Sequence, residues 1–335
     1  MKIQIICRGS VKHGLGHLFR TRTFFKEAIG KNEVQVIAIV EKELESVFWE
    51  LRENTLFVRD EEKVVDLVKE YTPEVLIFDL TEITDFVFNE VKTFAKVTAS
   101  ISPVFNQINA IDILFTRTKF NNNYDNVITY GGLEYSIFNE YCTPINSITY
   151  KRNLKRPHLP IAISMGGTDS PNKTLKIIEA LEDFPYEITL WVALGEGYAH
   201  SYTNLVRAIN KNKKHEIILA KANKSTWDIL GNSVLAILAG GLTTIEAVHA
   251  GLPSINIFEK KEHLEATSKE LFEIGALING HYFSEESIKQ MKSKIMYLYK
   301  NRDELLKIRR KTKGAVDKNG SKRVLKILKN YLRSQ

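Results

Sequence analysis

The feature that most constrains this chain is a series of short, continuously apolar segments separated by stretches of helix length. In the first half these segments are Ile3–Cys7, Val34–Val40, Val75–Asp79, Lys96–Ile101, Ile111–Thr116 and Val127–Tyr130. In the second half they are Leu159–Met165, Glu187–Leu194, His215–Leu219, Val234–Leu238 and Ser254–Phe258. A strand with one wet face alternates apolar and polar residues. A strand apolar throughout is covered on both faces, as in a parallel sheet between layers of helices. The intervening segments Glu61–Glu70, Asn172–Leu181 and Thr243–Ala250 are amphipathic. This alternation predicts an α/β fold of doubly wound parallel sheets.

The segments are too many for one comfortable sheet, and 335 residues suit two domains of ~100–200 residues each. The stretch 143–157 is polar and basic, lacks periodicity and contains Pro144 and Pro157. It reads as a linker. The expected organisation is a Rossmann-like domain over 1–145, a linker over 146–158, a second Rossmann-like domain over 159–320, and a last helical segment over 321–335 that crosses back to the first domain. With 44% hydrophobic and 26% charged residues, most of the chain cannot be disordered. Two cysteines, Cys7 and Cys142, exclude a disulfide scaffold and a four-cysteine metal site. The apolar start is too short for a signal peptide and no run approaches the ~20 residues of a membrane span, so a cytoplasmic protein is expected. The net charge of +7 is concentrated between Lys289 and Arg333. That segment reads as a solvated helix face, and with no RRM, KH, zinc-finger or helix-turn-helix signature, nucleic acid is not an expected partner.

Three glycine clusters fall where strands give way to helices, which is where parallel sheets bind ligands. The first is Gly14-Leu15-Gly16-His17-Leu18-Phe19-Arg20. A dinucleotide fingerprint would need glycine in place of Phe19 and an acid closing the second strand, so no nicotinamide site and no other cofactor are expected. His17 begins a helix, where the positive helix end keeps an imidazole neutral. That suits a general base, and equally a cap or an interdomain contact. The second cluster is Ser164-Met165-Gly166-Gly167-Thr168-Asp169. Paired glycines let backbone approach a ligand, while Thr168 or Asp169 can cap the next helix. The third is Ala239-Gly240-Gly241-Leu242-Thr243-Thr244-Ile245-Glu246. Gly240, Gly241, Thr243 and Thr244 offer amides and hydroxyls to a diphosphate, and Glu246, placed in the helix's first turn, can accept ribose hydroxyls. Asp79 ends a buried strand and is either a site residue or a helix cap. The histidines show no metal-ligand spacing, and H-E-x-x-H, C-x-x-C, G-x-S-x-G and Walker A signatures are missing. No carboxylate pair resembles an Asp-x-Asp metal–diphosphate site.

In combination these motifs resemble the GT-B architecture, two Rossmann-like domains with a sugar donor in the interdomain cleft, and within it MurG-like enzymes. More closely, the chain resembles the PseG/SpsG family, whose PseG members are UDP-sugar hydrolases of pseudaminic acid biosynthesis. Gly14–Arg20 matches G-x-G-H-x-x-R, and Met165–Asp169 with Asn172 matches M/F-G-G-T-D…N. Gly132–Ser136 resembles a G-x-x-Y segment, Gly240–Glu246 the donor loop, and Val316–Val324 the C-terminal D-G-x-G-x-x-R-V stretch. The resemblance implies that His17 activates water against the anomeric carbon while uridine diphosphate leaves toward Gly240–Thr244, without a metal. Three family positions differ. Asp-His is here Asp79-Leu80, the family's acidic pair after the next strand is replaced near Ser100-Ile101-Ser102-Pro103, and Asn-Gln becomes Glu262-His263 or His263-Leu264. Such a change on the sugar-facing half fits a different sugar, or transfer to a glycan or lipid-linked acceptor. A nucleotide-sugar-binding protein without turnover is the remaining reading. Phe19, Phe24, Phe25 and the basic C-terminal segment either dock a lipid acceptor, with peripheral membrane association, or are ordinary core and surface.

Overall fold

The computed structural model describes residues 1–10, 14–119, 124–221, 226–259 and 261–335; the side chains of 261–263 and 265–267 lie outside this description. The chain divides into two compact units. The first comprises Met1–Asn139 with Asp317–Gln335, the second Glu140–Val316.

The first unit is built on seven parallel strands: β1 (Lys2–Gly9), β2 (Glu33–Val40), β3 (Thr55–Val58), β4 (Val75–Asp79), β5 (Val97–Ser100), β6 (Ile113–Thr116) and β7 (Ile128–Gly131). Their order is β3-β2-β1-β4-β5-β6-β7. Burial on both faces explains the apolar runs. Ile3, Ile5, Cys7, Val36 and Ile77 point into a core shared with Phe24 and Phe25 of helix Gly16–Ala28 and with Val324 and Leu328 of helix Gly320–Ser334. Ile6, Ile37, Leu76 and Phe78 point the other way, toward Val64 and Val68 of helix Lys63–Tyr71 and Phe88 of helix Asp85–Lys92. Phe24 and Phe25 are therefore core residues, not a lipid-docking surface. The register of β1 on β4 sets Cys7 beside Asp79.

The second unit has six parallel strands: β8 (Leu159–Ser164), β9 (Ile188–Leu194), β10 (Glu216–Lys221), β11 (Leu235–Leu238), β12 (Ser254–Phe258) and β13 (Ile278–Tyr282). They are ordered β10-β9-β8-β11-β12-β13. The segment read as a linker over 146–158 instead contains helix Ser147–Leu154. Asn146 caps it by accepting from the amides of Ile148 at 2.8 Å and Thr149 at 3.4 Å. Tyr150 is buried and donates its hydroxyl to the Val234 carbonyl at 2.8 Å. The segment is part of the second unit's core, and the structural boundaries fall at Asn139/Glu140 and Val316/Asp317.

Each sheet winds outward in two directions from a central pair, β1 with β4 and β8 with β11. The loops leaving such a pair diverge to opposite faces and open a crevice at the strands' carboxyl ends. All three glycine clusters sit at these two switch points. Among the described residues, no helix is long and apolar enough to cross a membrane.

Candidate functional site

At the first unit's switch point, β1 leads through Ser10 to Gly14, which closes onto it (Gly14 N to Ser10 O, 2.8 Å) with φ +76°. Helix Gly16–Ala28 then starts with no side-chain cap and no acid in its first turn. His17, Arg20 and Thr21 are spaced i, i+3 and i+4, so they share a helix face. All three converge on Asp79 at the end of β4. The His17 Nδ1 lies 2.7 Å from Asp79 Oδ1. Arg20 donates from Nε to both carboxylate oxygens at 3.1 Å and also from Nη2. Thr21 Oγ1 donates to Oδ2 at 3.0 Å. Asp79 is fully buried. Burial alone would raise its carboxyl pKa, but the Arg20 charge and the His17 and Arg20 hydrogen bonds outweigh it and hold the group at about 2. Asp79 does not cap the next helix; Thr84 does.

With Asp79 as acceptor, the neutral imidazole carries its proton on Nδ1 and Nε2 is the basic nitrogen. Arg20 Nη2, 2.9 Å from the same Nδ1, then acts through Asp79 rather than by donating to the ring. The His17 pKa is lowered, chiefly by burial and further by the Arg20 and Arg117 charges, against the opposing pull of Asp79. A buried carboxylate orienting a neutral imidazole is an arrangement suited to general-base chemistry. Burial, with the Asp79 charge adding to it, pushes the Cys7 thiol well up, so it is not a nucleophile.

At the second unit's switch point the loops after β8 and β11 lie side by side. Gly166 has φ +89° and open space where a Cβ would be. Gly167 accepts at its carbonyl from Gly197 N at 3.0 Å, and a Cβ on Gly195 would collide with the carbonyls of Gly166 and Gly167. The Gly195-Glu196-Gly197 turn is thus a partner of the second cluster that sequence reasoning missed. Asp169 accepts from the amides of Lys173 and Thr174, each at 2.8 Å. Its carboxylate caps the start of helix Lys173–Leu181, and Thr168 is buried beside it. Burial raises the Asp169 pKa against the pull of those amides.

Helix Leu242–Ala250 begins after Gly241 with no side-chain cap and no acid in its first turn. Gly240 has φ +77°, and a Cβ there would strike the Phe258 ring. Gly241 is exposed, with open space at its Cβ position. Glu246 lies in the second turn, not the first as expected. It is buried and accepts from Trp227 Nε1 at 2.9 Å, a partner the sequence did not reveal. Thr244 is buried and donates its hydroxyl to Asn256 Oδ1 at 2.7 Å, whereas Thr243 is half-buried. Glu262 and His263 fall in the first turn of helix Lys261–Glu273, and their side chains lie outside the described residues. Among the described residues, no three His, Cys, Asp or Glu side chains gather as a metal site would require.

Two motifs of the resemblance prove structural. Arg323 forms a two-pronged pair with Asp317, both bonds at 2.7 Å, and donates to the Glu134 carbonyl at 2.9 Å. Gly320 packs onto the Ser136 backbone, so Gly132–Ser136 and Asp317–Arg323 seat the last helix on the first unit.

No protein-family model matches the chain. An uncharacterised protein of Methanocaldococcus jannaschii is 26% identical over 78% of this chain, and the match spans 56% of that protein. The spore coat polysaccharide biosynthesis protein SpsG of Bacillus subtilis is 23% identical over 98% of each chain. Among solved structures, Acinetobacter baumannii MurG superposes with a TM-score of 0.66 over 98% of this chain and 100% of its own, at 12% identity. The UDP-GlcNAc 2-epimerase of Neisseria meningitidis, bound to UDP-GlcNAc, gives 0.59 over 98% and 100%, at 11% identity. The fold is GT-B: two Rossmann-like units on parallel sheets.

Proposed function

We propose that the protein is an enzyme acting on a UDP-sugar, with His17 as general base and the glycosyl–phosphate bond as the bond broken. The observation that carries this reading is the Asp79–His17 pair at the β1/β4 switch point. Nδ1 is held by a carboxylate kept ionised by Arg20, and Nε2 has no hydrogen-bond partner among the described residues. Nε2 takes a proton from water, the oxygen attacks the anomeric carbon, and uridine diphosphate departs with the bonding pair. Within the second unit, the groups assigned to UDP are the start of helix Leu242–Ala250 for the diphosphate and Glu246 for the ribose. The likeness of fold to MurG and to an epimerase bound to UDP-GlcNAc, and of sequence to SpsG, a spore coat polysaccharide biosynthesis protein, supports a nucleotide sugar as the substrate. A hydrolase of the PseG type is the first form of the proposal. Because the largely buried His17 side chain keeps 14% of its surface exposed, the same base can serve an acceptor hydroxyl, which makes inverting glycosyl transfer the second form.

The test is UDP release from UDP-sugars with and without glycan or lipid-linked acceptors. UDP with free sugar supports hydrolysis, and UDP only with acceptor supports transfer. Tight UDP binding with no release under either condition refutes catalysis.

A further inference from the structure

Arg117 follows β6, whose carboxyl end lies on the same sheet edge as those of β1 and β4. It is 8% exposed, and its Nε and Nη1 are buried without a hydrogen-bond partner among the described residues. It shares a neighbourhood with His17, Arg20 and Asp79, each of which is electrostatically coupled to it or to its immediate partners. Burial, followed by the Arg20 charge, lowers its pKa to about 9. The one carboxylate among these groups already receives bonds from Arg20, Thr21 and His17. Two guanidinium groups therefore face a single anion. A buried cation without a partner is strongly unfavourable and persists only where something else recovers the cost. The start of helix Gly16–Ala28 adds unopposed amides with no acid in the first turn, and a Cβ at Gly14 or Gly16 would meet open space.

We propose that Arg117, with the first turn of helix Gly16–Ala28, binds an anionic group, a carboxylate or a phosphate, on the sugar that the activated oxygen attacks or on the acceptor whose hydroxyl His17 deprotonates. The proposal deepens the reading of His17 as the base and makes Arg117 a specificity residue, since a neutral substrate leaves the guanidinium unpaired. An anion there also opposes the two positive charges beside His17 and makes its ring more basic.

The experiment uses inorganic phosphate and acetate as probes, with the His17 imidazole followed by NMR across a pH titration. The groups facing it are Asp79, Arg20 and Arg117. In the native chain, each bound anion is expected to raise the His17 pKa in a saturable way, and the tighter of phosphate and acetate names the class of group. Arg117→Met should weaken that binding about 10–100-fold, the loss of a charge-assisted hydrogen bond, and should fold at least as stably without anion. Arg117→Lys should retain binding within about tenfold. Equal anion effects in native chain and Arg117→Met, no anion effect in either, or an unfolded Arg117→Met alongside anion-blind Arg117→Lys overturns the proposal. The probes report binding without turnover. A chain that binds phosphate through Arg117 but releases no UDP keeps this site and loses the proposed function.

Discussion

At the scale of single residues, His17 owes its character to three neighbours. Asp79 fixes the tautomer, Arg20 keeps Asp79 ionised, and burial keeps the ring neutral. His17→Ala should lower kcat by about 10²–10⁴-fold with UDP affinity nearly unchanged, read from steady-state rates and UDP calorimetry. An imidazolium cannot accept a proton, so the rate falls on the acid side. Because the His17 pKa is lowered from 6.5, that limb should lie below pH 6.5 in the profile of kcat/KM. Asp79→Asn leaves Arg20 without its carboxylate and frees the ring to rotate. It should cost about 3–5 kcal/mol of stability, as breaking a buried pair does, measured by urea unfolding. Glu246→Gln keeps an acceptor for Trp227 Nε1 and removes the charge. UDP affinity should drop by about 1–3 kcal/mol, and unchanged affinity by calorimetry would remove Glu246 from the nucleotide site.

At the scale of elements, the strands that escaped sequence reading are the edge strands β3 and β13. Central strands are covered on both faces and read as unbroken apolar runs. β3 leaves Leu56 exposed, and β13 is largely uncovered and broken by Gly280 and His281, so neither carries that signal. Helix Ser147–Leu154 was hidden for a related reason. It buries only Tyr150, Asn153 and Leu154 in its eight residues, and its lysine and arginine face outward. Gly320 shows an element held by backbone approach. A methyl group there meets the Ser136 carbonyl, which cannot withdraw as a side chain can. Gly320→Ala should destabilise the first unit by about 1–3 kcal/mol, with early amide exchange in Gly320–Ser334 as the measurable sign.

For the whole molecule, two ionised carboxylates in the first unit, Asp79 and Asp317, contribute most visibly to the response to acid, beside Glu61 and Glu74, whose pKa values are also lowered. Asp79 and Asp317 both have folded pKa values of about 2 against an ordinary 3.8, Asp79 because Arg20 and His17 outweigh burial and Asp317 chiefly through the Arg323 hydrogen bond. A folded pKa below the unfolded one contributes stability that is complete above the unfolded value and disappears as pH falls toward the folded one. The first unit should therefore begin to lose stability below about pH 6.5, where the unfolded chain protonates His17 and the fold resists it, and should lose the share held by the two carboxylates between about pH 4 and about pH 2. Tryptophans mark the two units separately, Trp49 in the first and Trp191 and Trp227 in the second. Fluorescence during acid titration of Trp49→Phe and of a Trp191→Phe/Trp227→Phe double variant would show whether the first unit yields there.

The sequence by itself determined the fold class, because burial on both faces of a parallel sheet leaves a local mark, continuous apolar runs punctuated by glycine at strand ends. It also placed His17, Arg20 and the Gly240-Gly241 turn, since each belongs to a contiguous motif. Tertiary structure alone decided what those residues meet. Asp79 is distant in sequence from His17 and reaches it only because β4 lies against β1. Arg117 comes within range only because β6 ends on the same edge, and Trp227 is a partner of Glu246 that no contiguous motif announces. It also decided which polar groups were already engaged, Asp169 by helix amides and Thr244 by Asn256. Hydrogen-bond satisfaction inside a core depends on which strands are neighbours, and the order of strands in a sheet is not written in any one segment of the chain.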